Sequence, residues 1–112
     1  MSAAGLNDDQ KAEKVVSDCE KYSDPQYRQF CYAGAARYWV LRDPLLNNLN
    51  PFKICKRAEK SAKPICYANL GFGNNENYYS KEKLQEYCAN SEEEYTKYCL
   101  SANPTSLIFV EK

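Results

Sequence analysis

Six cysteines and no histidine define the chemistry open to this chain of 112 residues. Cys19, Cys31, Cys55, Cys66, Cys88 and Cys99 are spaced C-x11-C, x23, C-x10-C, x21, C-x10-C. Cysteines in such numbers form staples, hold a metal or exchange disulfides with a partner. A zinc site wants C-x-x-C knuckles, and a redox pair wants C-x-x-C or a thiol at a helix start; neither pattern occurs in the sequence. Without histidine there is no Ser/His or Cys/His nucleophile pair, no imidazole ligand and no charge switch near neutral pH. The even number and the regular spacing point to structural disulfides.

The remaining reactive groups point away from catalysis. Asp8 and Asp9, and then Glu92, Glu93 and Glu94, are carboxylate clusters at expected helix starts, where they complement the helix dipole. The chain has no Gly-rich phosphate loop, Gly-x-Ser-x-Gly elbow or calcium loop, and Pro104 blocks the sequon at Asn103. We therefore expect no catalytic residue, no metal and no cofactor.

Several features have the chemistry of a binding surface. Lys53, Lys56, Arg57, Lys60 and Lys63 fall at i, i+3, i+4, i+7 and i+10, along one side of an expected helix and opposite Ile54, Ala58 and Ala62. Such a stripe engages an anionic surface, or it is a solvated face lying against the acidic residues 92 to 94. No nucleic-acid motif accompanies it. Residues 71 to 79 read as a Gly/Asn-rich loop presenting Phe72, Tyr78 and Tyr79 either to a partner or back onto the neighbouring helices. Trp39 lies off the face of its helix neighbours, either packed or exposed for a partner. Leu45, Leu46 and Leu49 fill a long connection between helices, and Leu107 to Val110 form an apolar tail expected to cap the fold.

These groups require helices to position them. The three cysteine pairs recur every 33 to 36 residues, the length of a helical-hairpin repeat. The first helix carries Ala12, Val15, Cys19 and Tyr22 inward. Asp24 and Pro25 then signal an N-cap and first turn, and the second helix is expected to bury Tyr27, Phe30, Cys31, Gly34, Ala35, Tyr38 and Leu41. Asn50 and Pro51 repeat the signal for a third helix with Ile54, Cys55, Ala58 and Ala62 inward. Pro64 opens a fourth, ended at Gly71 to Gly73. Ser80 caps a fifth with Leu84, Tyr87 and Cys88 inward. Ser91 and Glu94 form a capping-box pattern before a sixth, which carries Tyr95, Tyr98, Cys99 and Ala102. A turn signal near the middle of each cysteine pair favours sequential bonding, Cys19 to Cys31, Cys55 to Cys66 and Cys88 to Cys99. The expected fold is all-α: one domain over 1–112 of three disulfide-stapled hairpins, near 7–42, 50–71 and 80–103, with a tail at 104–112. They would stack as a short α-solenoid or compact bundle.

Cys31-Tyr32-Ala33-Gly34 and Cys66-Tyr67-Ala68-Asn69, each after a large apolar residue and about 35 residues apart, resemble cysteine-rich helical-repeat proteins of the Sel1-like kind. The resemblance implies a secreted or periplasmic scaffold that works by protein contact. Mitochondrial intermembrane-space twin Cx9C proteins are a second comparison, but they carry two cysteines on one unbroken helix, and Pro25 and Pro64 lie inside the first two pairs here. Insect odorant-binding proteins have six cysteines too, with a Cys-x3-Cys step that this chain lacks.

Fifteen basic and fifteen acidic residues balance, so composition implies neither nucleic-acid nor membrane-surface affinity. No run approaches the roughly 20 apolar residues of a membrane span. The N-terminus lacks a signal peptide, so oxidised cysteines imply one already removed. The expected function is a non-enzymatic extracytoplasmic repeat module contacting another protein, as an accessory subunit. The alternatives are a small-molecule or lipid carrier with a Tyr-lined cavity, and an intermembrane-space protein.

Overall fold

The computed structural model describes residues 8–43, 46, 48–77 and 81–101, and the described part is all helix and connection. Six α-helices follow in order: α1 (Asp8–Cys19), α2 (Pro25–Arg42), α3 (Phe52–Arg57), α4 (Lys63–Asn77), α5 (Lys81–Cys88) and α6 (Thr96–Ser101). Short 3-10 turns at Lys60–Ala62 and Glu93–Tyr95 lead into α4 and α6.

Each helix pair is closed by a disulfide between α1 and α2 (Cys19–Cys31), α3 and α4 (Cys55–Cys66), or α5 and α6 (Cys88–Cys99). The linked Cα atoms stand 5.5 to 5.7 Å apart. An unbroken helix would separate residues 11 positions apart by about 16 Å, so every pair requires the chain to reverse between its cysteines. The second helices stack in sequence, α2 on α4 and α4 on α6, and α1 lies against α3.

The local starts follow from side-chain chemistry. Asp24 accepts a 2.9 Å hydrogen bond from the Gln26 amide, and Pro25 fills the first turn of α2, where an N–H has no helical partner. Asn50 does the same for the Phe52 amide at 3.0 Å. Asp43, past the end of α2, turns the next connection by accepting from the amides of Asn48 and Leu49. That connection places Leu46 and Leu49 against the core; Leu45 lies outside the described residues.

Four expectations are corrected. The helix starting at Phe52 stops at Arg57, because Ala58 and Glu59 are extended, with ψ of 154° and 151°. The reversal demanded by Cys55–Cys66 overrides the helix-forming character of Ala58, Glu59 and Lys60. Second, α4 continues through Gly71 and Gly73 to Asn77, so 71 to 77 are helix and not a recognition loop. Gly71 stands in the helix for a packing reason: a Cβ there would collide with the carbonyl oxygen of Cys99 on α6. Third, the 3-10 turn before α6 has Glu92 at its N-cap with no side-chain cap bond, so Ser91 and Glu94 form no capping box.

The fourth correction concerns the face of α2. Its buried residues are Tyr32, Ala33, Ala36, Trp39 and Val40. Tyr27, Phe30, Tyr38 and Leu41, expected inside, are exposed. The helix is apolar on both sides, so periodicity alone does not say which side meets the core. The core itself is an aromatic stack. Phe52 lies 5.0 Å from Tyr87 and 6.3 Å from Tyr67, which stacks on Tyr95 at 5.5 Å with ring planes 12° apart.

Candidate functional site

Hydrogen-bonded latches at matching positions join successive hairpins. Arg28 and Tyr32 stand three residues before and one after Cys31; Lys63 and Tyr67 take the same places around Cys66. Glu59 and Glu92 each follow the first cysteine of the next pair by four residues. Arg28 Nε donates to Glu59 Oε1 at 2.8 Å and Tyr32 Oη donates to the same oxygen at 3.2 Å. In the second latch Lys63 Nζ and Tyr67 Oη both donate to Glu92 Oε2 at 2.7 Å. Each cation also ties down its own hairpin, Arg28 through the Tyr22 and Ser23 carbonyls and Lys63 through that of Lys56.

The electrostatics follow this geometry. The hydrogen bond from Arg28, reinforced by its charge, holds the Glu59 carboxyl below the usual carboxylate range. Burial pushes the Glu92 carboxyl up, but donation from Lys63 and Tyr67 more than offsets it and leaves it lowered. Burial beside Glu59 pushes the Tyr32 hydroxyl up to about 12, and burial together with the bond to Glu92 raises Tyr67 further. Both carboxylates are committed to structure.

The latch residues occupy only the inner junctions. In the first cysteine pair Ser23 stands where Glu59 and Glu92 stand, and in the third Thr96 and Leu100 replace the basic residue and the tyrosine. The sequence signal was available by aligning the three cysteine pairs on one another. The Cys-Tyr-Ala recurrence shows half of it, and Glu59 and Glu92 supply the rest.

The basic stripe is divided by the break at Ala58 and Glu59. Lys53 and Arg57 pair with Asp9 at 3.3 and 3.6 Å, and Lys63 is in the second latch. Lys56 and Lys60 point outward. Trp39 is in the core. Phe72 lies in α4, while Tyr78, Tyr79 and the tail at 104–112 fall outside the described residues. Among the described residues no group of three His, Cys, Asp or Glu could hold a metal, and no helix is long and apolar enough to cross a membrane.

Among the described residues the largest group of exposed apolar side chains is on the outer side of α2. Tyr27, Phe30, Tyr38 and Leu41 are 42% to 61% exposed, and Tyr22, just before α2, continues the patch. Tyr22, Tyr27, Phe30 and Cys31 line an open hollow of about 410 Å³. Tyr22 and Tyr27 meet edge to face with ring centroids 6.4 Å apart, and the Arg42 guanidinium lies 5.9 Å from the Tyr38 ring centre. At the positions matching Tyr27 and Phe30, both residues of the second hairpin and the first of the third are buried, and the second of the third, Tyr98, is half-buried. Ala62 and Ile65 are buried, the turn holding Ala62 packs on α2, and Tyr95 stacks on Tyr67 of α4. At Tyr27 and Phe30 the outer face of α2 therefore matches the face by which the later hairpins receive the one before. Comparison with protein-family models, curated proteins and solved structures finds no match to the chain.

Proposed function

We propose that the chain is a non-enzymatic helical-repeat module of an oxidising, extracytoplasmic compartment, working through protein–protein contact as an accessory subunit. One observation carries this reading: Tyr22 just before α2 and Tyr27, Phe30, Tyr38 and Leu41 along one side of it are exposed, whereas Ala62, Ile65 and Tyr95, at positions matching Tyr27 and Phe30, are buried. Isolated exposed apolar residues are ordinary, but a contiguous aromatic patch is characteristic of contact surfaces. Commitment of all six described cysteines to disulfides supports an oxidising compartment. The interior tyrosines pack on one another, which favours contact at the surface over carriage of an apolar ligand inside.

The test is capture of partners from an extract of the source by the immobilised chain. Phe30→Asp with Tyr38→Asp should abolish capture while circular dichroism and melting stay native, because both side chains are exposed. Lys56→Glu with Lys60→Glu should leave capture intact. Unchanged capture by the α2 variant would remove the reading.

A further inference from the structure

Gly34 has no role in the packing of its own chain. It lies near the middle of α2, its backbone does not have positive φ, and a Cβ built on it meets nothing within 4 Å. Glycine inside a helix is unfavourable relative to alanine, so at an exposed position it calls for a reason outside the fold, such as close approach by another backbone. Gly71 shows the contrasting case, a helical glycine that its own chain requires.

The exposed side chains are arranged symmetrically about Gly34. Phe30 and Tyr38 stand four residues to either side of it, and Tyr27 and Leu41 seven. At 3.6 residues per turn all of them fall within about 40° of the Gly34 direction, so they form one stripe with the glycine at its centre. Across a twofold axis at Gly34, two such stripes running antiparallel set each large side chain against a different one of the second copy, so large meets large only four and seven residues from the crossing.

We infer that the outer face of α2 binds the same face of a second copy of this chain, the two helices running antiparallel and crossing at Gly34. This inference rests on the proposed contact function and names its partner. The crossing sets Phe30 against Tyr38 of the second copy and Tyr27 against Leu41, which enters the hollow lined by Tyr22, Tyr27 and Phe30. It also opposes the two helix dipoles favourably and brings the Asp24 end of each helix toward Arg42 of the other. A further hairpin of the same repeat is disfavoured as the occupant, because Ser23 lacks the carboxylate that would receive its latch.

Sedimentation velocity of the full chain across a dilution series should show a reversible monomer–dimer equilibrium. Gly34→Ala and Gly34→Leu have room in the monomer, so both should raise its melting temperature while weakening dimerisation, the leucine variant by at least about tenfold. Arg42 of each copy lies on the same flank as Asp24 of the other, so Arg42→Glu should weaken the dimer and Arg42→Lys should leave it intact. A chain that stays monomeric throughout, or a Gly34→Leu variant that dimerises like the native chain, overturns the inference. If the chain is monomeric but the Phe30/Tyr38 variant loses partners from the extract, self-association alone is wrong. If capture is also unchanged, the contact function falls with it.

Discussion

The Tyr67 hydroxyl donates to the Glu92 carboxylate across 2.7 Å and so fastens the second hairpin to the third. Lys63 donates to the same oxygen, and the group is partly shielded from water. A hydrogen bond to a charged acceptor contributes about 1.5 to 3 kcal/mol, so Tyr67→Phe should lower unfolding free energy by about 2 kcal/mol in urea titration. Glu92→Ala should cost more, since it leaves two donors without their acceptor. A double-mutant cycle should show the two changes strongly coupled. Additive effects would mean that the latch does not act as a unit.

Acid should loosen both junctions. The Glu59 and Glu92 carboxyls titrate below their ordinary value of 4.5 in the folded chain, so unfolding takes up protons in acid. Their contribution is complete above that value and is lost as pH falls through the folded values. Melting temperature should therefore fall below about pH 4.5, and Glu59→Gln with Glu92→Gln should flatten the decline. At the alkaline end, Tyr32 favours folding while it is protonated. That contribution is full below its ordinary 10 and is lost as pH rises toward about 12.

Gly71→Ala forces a methyl group onto the backbone of Cys99, where no side-chain rotamer relieves the clash. Overpacking of this kind costs about 3 kcal/mol and should separate α4 from α6. Hydrogen exchange should quicken in α6 ahead of α1. A stable variant with native exchange would contradict the close approach.

Each disulfide closes a loop of 11 or 12 residues. Replacing Cys88 and Cys99 together by alanine should lower stability by about 3 kcal/mol. Limited proteolysis should then cut first between α5 and α6. Equal cutting throughout would mean that the three hairpins unfold as one body.

The hairpins and their disulfides were legible because proline, asparagine and aspartate mark the turns and the cysteine spacing repeats. The buried side of α2 was not, since Tyr27, Phe30, Tyr38 and Leu41 alternate with Tyr32, Ala36, Trp39 and Val40 around one helix. Local sequence does not record which side its neighbours cover. Gly71 carried a false stop signal: the same residue that ends a helix also admits a close helix crossing, and only the position of Cys99 distinguishes the two. The lysine stripe followed helical spacing across a reversal that the Cys55–Cys66 bond imposes. Glu59 and Glu92 were visible in register, but they gain meaning only once the next hairpin is in place.

Photo-crosslinking tests the contact surface most directly. With a benzophenone side chain in place of Tyr38, the full chain irradiated in extract of its source should form discrete protein adducts. The same group in place of exposed Glu13 on α1 should form none. Adducts from position 13 alone, or from neither position, would contradict a function carried by the outer face of α2.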